Sequence, residues 1–398
     1  MKLPSLILAT AASLLMAGTA MATDIKIGVL NDRSGVYADL SGEGSVIAAR
    51  MAVEDFDAAA KGINVEIISA DHQNKPDIAS TIARQWYDQD GVDMIADVPT
   101  SSAAFAVNDV TRDKNKIFMD SGAGSADLTG SKCSPNTVHW TYDTWALAHG
   151  TGSAMVQEGF KKWFFITADY AFGQALETDT SAVVTAAGGE VAGAVRHPFP
   201  GTDFSSYLLQ AQASGAQVIG LANAGGDTVN TIKQAAEFGI TQAGQSLAGL
   251  LIFITDVHAL GLETAQGLVL TEAFYWDLND DTRAWSKRFA EQNGGNMPTM
   301  VHAGVYASVL HYLKAVEATG GKETATLMDW MKANPSQDPL FGEGTIRADG
   351  RHIHDMYLFK VKSPAETKGP WDYYNLMTTI PAKDAFRPLA EGGCELVK

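Results

Sequence analysis

The chain has 398 residues and a formal net charge of −17, with 29 basic against 46 acidic side chains. An acidic surface of this kind repels nucleic acid and anionic lipid, which argues against a function in binding either. The length exceeds that of one ordinary hydrophobic core and therefore predicts two domains.

Residues 1–22 carry the three-part pattern of an export signal. Lys2 precedes an apolar run from Leu6 through Met16, and a small-x-small ending follows at Ala20 and Ala22. The run is too short to span a bilayer comfortably, so we interpret this segment as a cleaved signal peptide, with an uncleaved anchor as the alternative. We expect a periplasmic protein without direct membrane insertion.

The chain has two cysteines, Cys133 and Cys394, which are far apart in sequence. In an oxidising compartment a lone pair of cysteines is more often bridged than free, and this predicts a disulfide between them. Two unpaired thiols are the alternative.

Strand and helix signals alternate from residue 24 to about residue 128. Apolar or β-branched runs predict strands at 25–30, 65–69, 94–98 and 117–120. Helical periodicity lies between them, at 43–60, 76–90 and 102–114. This alternation predicts a parallel sheet with helices on both faces.

The same pattern then restarts. It predicts strands at 163–167, 190–197, 218–222, 250–255 and 267–272, and helices at 144–159, 173–187, 203–214 and 226–238. Two late helices, 281–292 and 300–320, and a strand at 355–362 complete the series. We predict a first lobe of 24–141 with 279–340, a second lobe of 142–278 with 341–380, and a C-terminal tail of 381–398. A cleft between two such units is where a small ligand binds.

Motifs for catalysis are absent from the sequence. It contains no GxxxxGK, GxSxG, CxxC or HExxH, and we expect neither an enzyme nor a cofactor. The best metal candidate is the cluster of His352, His354 and Asp355, because alternate residues of a strand share a face. Without a fourth ligand we favour a solvated strand end and predict no metal site.

Five stretches of the chain resemble the leucine/isoleucine/valine-binding family of type I periplasmic solute-binding proteins. They read IKIGVLNDRSGVYADLSG (25–42), DVPTSSAAFAVND (97–109), MDSGAGSADLTG (119–130), DYAFGQALE (169–177) and VIGLANAGGDTVNTIKQAAEFG (218–239). The resemblance rests on the order of these stretches, since no single one is diagnostic.

The resemblance implies an α/β fold with two doubly wound parallel-sheet lobes joined by three crossing strands. We place the crossings near 141–143, 274–278 and 340–345. It also implies a protein that captures a solute by lobe closure and presents it to an ABC permease in the inner membrane, without performing chemistry.

In the resembled family, loops of the first lobe grip a ligand carboxylate with hydroxyls and backbone amides. The matching positions here are Ser101 and Ser102 on one loop and Ala123 and Ser125 on the next. A carboxylate requires several donors, and a helix that begins after Ser101 or Ser102 would add its positive end. The alternative is that these serines only cap helices.

The second lobe departs from the family pattern. Amino-acid binders carry an acidic residue there that neutralises the ligand ammonium, but the matching stretch 249–255 contains none. A buried ammonium without a counter-charge costs several kcal/mol. Either Asp256 or Asp227 reaches the pocket, or the ligand has no amine.

Aromatic residues concentrate near the inferred crossings and cleft loops, which favours a ligand without an amine. Rings supply apolar area and stack on planar ligands. Asn223 lies past a strand end, where it could bind a ligand or cap the next helix. The aromatic residues that we expect to contact the ligand are Tyr37, Tyr142, Tyr170 and Phe274.

These observations predict the solute-binding component of an ABC importer, with a small hydrophobic or aromatic carboxylate as its ligand. A branched-chain or aromatic amino acid is the second candidate. A periplasmic ligand sensor of the same fold is the candidate from another functional class.

Overall fold

A computed structural model describes residues 23–397, and the predicted signal peptide lies outside this range. The first sheet consists of β1 (Thr23–Asn31), β2 (Ile63–Asp71), β3 (Met94–Asp97), β4 (Ile117–Asp120) and β5 (Thr137–His139). All five strands are parallel, in the order β2-β1-β3-β4-β5. They are connected through helices α1 (Gly42–Phe56), α2 (Pro76–Gln85) and α3 (Ser101–Asp113).

Helix α1 shows why this alternation folds onto the sheet. Its residues Val46, Ala49 and Phe56 recur at helical spacing and are buried, whereas Glu43 and Arg50 are exposed. Burial of one valine or phenylalanine side chain contributes about 1.5–3 kcal/mol, which exceeds any difference in helix propensity along α1. The apolar stripe therefore decides which face of the helix packs inward.

The second lobe repeats this architecture. It begins with helices α4 (Thr144–Leu147) and α5 (Ser153–Gln157) and contains strands β6 (Lys162–Ala168), β7 (Glu190–His197), β8 (Val218–Ala222) and β9 (Ser246–Gly249). These four strands are parallel, in the order β7-β6-β8-β9. Its helices are α6 (Ala171–Ala186), α7 (Ser205–Ala213), α8 (Gly226–Glu237), α9 (Ile254–Leu260) and α10 (Leu262–Ala265). The predicted α/β class with two parallel-sheet lobes is confirmed.

The strand predicted at 250–255 is wrong. The strand ends at Gly249, and the apolar residues that follow form a buried loop before α9. The Asp256 carboxylate accepts the Phe253 backbone N–H at 2.9 Å, which satisfies one free donor at the start of α9. A run of buried apolar residues does not distinguish a strand from a buried loop.

The remaining chain passes back and forth between the two lobes. Its helices are α11 (Asp280–Gln292), α12 (Met300–Thr319), α13 (Thr324–Ala333) and α14 (Ala382–Ala385). Its strands are β10 (Val269–Glu272), β11 (Ser336–Asp338), β12 (Gly342–Ile346), β13 (His352–Ile353), β14 (Met356–Val361) and β15 (Tyr374–Ile380). Helix α12 packs on α1, while β10, β14 and β15 form an antiparallel sheet in the second lobe.

The chain crosses between the lobes three times, after β5, after β10 and between β13 and β14. The third crossing lies at residues 354–355 and not near 340–345 as predicted, because β12 pairs with β11 and β13 and contacts α13. Apart from this third crossing, the predicted bounds of the two lobes stay a prediction.

The predicted disulfide is present between Cys133 and Cys394. Cys133 follows the 3₁₀ turn Ala126–Thr129 of the first lobe, and Cys394 lies near the end of the C-terminal tail. Arg387 of the tail also donates to the Ala126 carbonyl at 3.0 Å. The bond therefore holds the tail against the first lobe.

Removal of the disulfide should destabilise the fold. The bond joins residues 261 positions apart, and restricting so long a loop in the unfolded chain stabilises by about 5 kcal/mol at most. We expect the Cys133→Ser, Cys394→Ser double variant to unfold at a lower temperature than the wild type in calorimetry. Dithiothreitol should lower the unfolding temperature of the wild type and leave that of the variant unchanged. Equal unfolding temperatures for both proteins would contradict this prediction.

Candidate ligand-binding site

A pocket lies between the two lobes, and the space among its lining residues, open solvent included, is about 200 Å³. Both lobes contribute to its wall, and most of the lining side chains are aromatic or aliphatic. The lining residues are Tyr37, Leu40, Pro99, Tyr142, Tyr170, Phe172, Ala224, Leu251 and Phe253.

Five helices begin at the edge of this pocket. Each of five lining residues lies one or two positions before a helix start: Leu40 before α1, Pro99 before α3, Tyr170 before α6, Ala224 before α8 and Phe253 before α9. The first turn of a helix has unpaired N–H groups and the positive end of the helix dipole. Three of these helices carry an acid in their own first turn, namely Glu43, Asp227 and Asp256, so the starts of α3 and α6 are the ones best suited to an anionic group.

The two lobes make direct contact beside the pocket. The hydroxyls of Tyr37 in the first lobe and Tyr170 in the second lie 2.5 Å apart. The Gly226 backbone N–H donates to the Val36 carbonyl at 3.1 Å, and the Phe199 ring of the second lobe lies with its centroid 5.4 Å from that of Tyr37. These contacts hold the lobes in a closed arrangement.

Tyr142 lies on the first crossing and forms one wall of the pocket. Its hydroxyl donates to the Gly122 carbonyl at 2.6 Å, and its ring meets Phe253 edge to face at 6.2 Å. A Cβ atom at Gly124 would lie 2.7 Å from the Phe172 ring and 3.0 Å from the Tyr142 ring. Glycine at position 124 therefore lets both rings approach the loop backbone.

Three of the predicted ligand contacts line the pocket, namely Tyr37, Tyr142 and Tyr170. The predicted carboxylate-binding residues lie outside the lining and bond to one another or to neighbouring groups. Ser101 Oγ accepts the Ser125 N–H at 3.1 Å, and the Ala123 N–H donates to Asp120 at 3.1 Å. Ser125 caps the 3₁₀ turn Ala126–Thr129, as the alternative interpretation held, and Ser102 is half-buried at the start of α3.

Asn223 and Phe274 also lie outside the pocket lining. Asn223 is buried and accepts the Thr228 hydroxyl at 2.7 Å, so it fixes the first turn of α8 through a side chain. Phe274 packs edge to face on Trp285 at 6.1 Å, in the second crossing. For both residues a contact with the ligand stays a prediction.

Sequence reasoning missed Leu40, Pro99, Ala224, Leu251 and Phe253 as pocket residues. Leu251 and Phe253 belong to the apolar run that was assigned to a strand. Their position between a strand and the following helix could have identified them, because each such loop in a doubly wound fold lies at the same edge of its sheet.

Carboxylates surround the pocket, but among residues 23–397 none belongs to its lining. Burial raises the pKa of Asp97 to about 6, although the Ser41 hydroxyl and the Asn31 amide donate to its carboxylate. Burial likewise raises the pKa of Asp227 and of Asp256 to about 7. Asp227 accepts the Gly201 N–H at 3.0 Å, and Asp256 accepts that of Phe253, so each carboxylate serves its own lobe.

The predicted solvated cluster at His352 and His354 is instead buried, so that prediction is wrong. The His352 ring stacks on Trp140 at 3.8 Å and bonds to the Ser336 hydroxyl at 2.7 Å. Burial lowers the pKa of His354 to about 4, which keeps its ring neutral. Within the described part of the chain, no group of three His, Cys, Asp or Glu residues is placed to hold a metal ion.

Comparison with known proteins identifies the family to which this chain belongs. A family model described as periplasmic binding protein matches residues 24–369, so the chain belongs to the periplasmic binding protein family. The resemblance predicted from the five stretches is thereby confirmed. Across residues 23–397, no helix is both long and apolar enough to cross a membrane.

Three similar proteins illustrate the match. A periplasmic binding protein from Burkholderia mallei is 51% identical, with a TM-score of 0.92, and the alignment covers 94% of this chain and 99% of that one. A branched-chain amino acid ABC transporter periplasmic ligand-binding protein from Burkholderia xenovorans is 41% identical, with a TM-score of 0.83 and coverage of 94% and 100%. A Leu/Ile/Val-binding protein homolog 6 from Brucella melitensis is 27% identical over 87% of this chain and 90% of its own length.

Tyr170→Phe should favour lobe opening. The change removes a hydrogen bond between the lobes and leaves the ring packing, so we expect the closed population to fall by roughly two- to tenfold relative to the open one. Single-molecule fluorescence transfer between dyes on the two lobes measures this ratio. Tyr87→Phe is the matched control, because it removes a buried hydroxyl that bonds only within the first lobe. Equal closed populations for Tyr170→Phe and the wild type would exclude the contact.

Asp256→Asn should change how stability depends on pH. Since the pKa of Asp256 is raised to about 7 from 3.8, the folded protein binds more protons than the unfolded chain between these values, and its contribution to stability falls as pH rises. The free energy of unfolding of the variant relative to wild type should therefore rise between pH 4 and pH 7 in urea titrations. Asp113→Asn, at an exposed position of α3, is the control. A pH-independent difference would contradict the prediction.

Proposed function

We propose that this protein is the solute-binding component of an ABC importer and captures a small hydrophobic or aromatic carboxylate by lobe closure. The observation that carries the proposal is the interlobe pocket, which joins apolar and aromatic walls to five helix N-termini. Apolar and aromatic walls favour the hydrophobic part of the ligand, and helix N-termini favour its carboxylate.

The choice of an acid over an amino acid rests on charge balance. An ammonium group enclosed in the pocket would lose its hydration at a cost of several kcal/mol and would need a carboxylate beside it. The pocket lining offers no carboxylate within residues 23–397, and the nearby Asp227 and Asp256 already accept backbone N–H groups. An acid without an amine avoids this cost.

The pocket lining limits the size of the ligand. Its nine residues include five aromatic rings, which leave little free space between them. We therefore propose one small molecule, such as a single-ring acid. Donors for its carboxylate would come from the Ser101 hydroxyl, whose oxygen accepts the Ser125 N–H and whose hydrogen can still be donated, and from the first turn of α3.

A branched-chain or aromatic amino acid is the second candidate, supported by the names of two relatives. The Burkholderia xenovorans protein is described as a branched-chain amino acid ligand-binding protein, and the Brucella protein as a Leu/Ile/Val-binding homolog. In that case Asp227 or Asp256 would have to turn toward the pocket.

The proposed location is the periplasm, after removal of residues 1–22. The leader pattern of this segment and the disulfide between Cys133 and Cys394 both support an oxidising compartment. The proposed partner is a permease in the inner membrane that accepts the closed form.

A screen with matched ligand pairs tests the proposal. The pairs are benzoate with benzamide, which lacks the charge, and 4-methylpentanoate with leucine, which adds the amine. A ligand at a hundred times its dissociation constant stabilises by about 2.7 kcal/mol, and thermal unfolding resolves this. We expect benzoate or 4-methylpentanoate to stabilise the mature protein, and benzamide and leucine to leave it unchanged.

A variant of the pocket wall locates the binding. Tyr142→Ala removes an aromatic wall and should weaken binding of the acid by more than about tenfold, while circular dichroism shows a retained fold. Stabilisation by leucine or phenylalanine with no response to either acid would overturn the argument from charge balance. Unchanged affinity in Tyr142→Ala would place the ligand elsewhere.

A further inference from the structure

Arg351 is fully buried where the chain leaves the first lobe for its third crossing. The residue pairs with His139 in a parallel bridge, and the preceding Gly350 carbonyl accepts the His139 N–H at 2.9 Å. The start of the third crossing thus lies alongside the end of β5, where the first crossing begins.

The Arg351 guanidinium donates to three backbone carbonyls. Nη1 reaches the carbonyl oxygen of Tyr142 at 3.0 Å, Nη2 that of Trp140 at 2.9 Å, and Nε that of His352 at 3.0 Å. The Asp143 carboxylate lies 3.6 Å from Nη1. A planar group with five donors can bond to carbonyls on two strands at once, which the single ammonium of a lysine cannot reproduce.

The surroundings of Arg351 exclude water from these bonds. The Phe386 ring of the C-terminal tail lies 4.1 Å from the guanidinium carbon, and the His352 ring stacks on Trp140. Burial lowers the pKa of Arg351 to about 10, so the group remains charged at neutral pH. Loss of the guanidinium would remove this donor from the Tyr142 carbonyl, whereas the Trp140 carbonyl would keep a contact of 3.2 Å with His354 Nε2.

Tyr142 is therefore held at both ends. Arg351 holds its backbone carbonyl, and the Gly122 carbonyl holds its hydroxyl, while its ring faces the pocket. Domain closure is absorbed by φ and ψ changes in a few residues between the domains. The bonds of Arg351 restrict those changes in the first crossing.

We propose that Arg351 is a positioning residue for ligand binding, which joins the first crossing to the segment leading into the third and fixes the backbone that presents Tyr142 to the pocket. The expected effect of Arg351 on ligand affinity rests on the proposed function. The expected effect of Arg351 on the backbone of the first crossing does not depend on any ligand.

Arg351→Lys tests the inference because it keeps the charge and loses the planar fork. In the ligand-free protein, we expect amides in residues 139–143 to exchange with deuterium at least about tenfold faster than in wild type, since bonds from a charged donor are lost. Calorimetric titration with benzoate should show a dissociation constant at least about tenfold higher, because the Tyr142 wall is no longer fixed.

Two further variants separate positioning from loss of stability. Leu208→Ala creates a cavity in α7 and should lower the unfolding temperature while leaving exchange in 139–143 and benzoate affinity unchanged. Phe386→Leu removes the ring over the guanidinium and keeps an apolar cover, so it should give intermediate changes in deuterium exchange and in benzoate affinity. If Arg351→Lys does not fold, these two measurements on Phe386→Leu test the inference.

Wild-type exchange in Arg351→Lys would overturn the inference, and so would faster exchange with unchanged benzoate affinity. If the wild type itself does not bind benzoate, the aromatic-acid assignment fails, and the exchange rates alone then decide whether Arg351 fixes the crossings.

Discussion

Parallel strands impose the constraint on which this protein depends. When every strand of a sheet runs the same way, each strand ends at the same edge, and each following helix begins there. Two such sheets face each other across the interlobe pocket, so the residues before α1, α3, α6, α8 and α9 meet in one small volume. The pocket is thus a consequence of topology before any particular side chain is considered.

The side chains around the pocket then decide what it can hold. Helix N-termini favour an anion by roughly 0.3–2 kcal/mol each, whereas an enclosed ammonium without a counter-charge costs several kcal/mol. Among the acids around the pocket, Asp227 and Asp256 bond to backbone N–H groups of their own lobe. These electrostatic terms therefore favour an acid over an amino acid. The rings of Tyr142, Phe172 and Phe253 offer apolar contacts for the rest of the ligand.

The sequence predicted the α/β class, the alternation of elements and the disulfide, because these depend on local periodicity and on a single pair of cysteines. It failed where an apolar run had two possible structures. Residues 250–255 were assigned to a strand, although α9 begins at Ile254 and Asp256 accepts the Phe253 N–H at its start. Phe253 therefore lies in the loop that lines the pocket. The third crossing was also misplaced, because residues 342–346 pair with their sequence neighbours β11 and β13 and do not cross to the other lobe. The role of Arg351 could not be predicted from the sequence because two of its three acceptors are carbonyls more than 200 residues away.

Closure connects these parts, since Tyr37 and Tyr170 come from different lobes, line the same pocket and meet through their hydroxyls. A crystal structure of the mature protein with benzoate tests this account most directly. The account predicts closed lobes, the ring between Tyr142, Phe172 and Phe253, and the carboxylate toward the start of α3. Benzoate bound outside these nine lining residues, or an ammonium-bearing ligand paired with Asp227 or Asp256 in the same pocket, would contradict it.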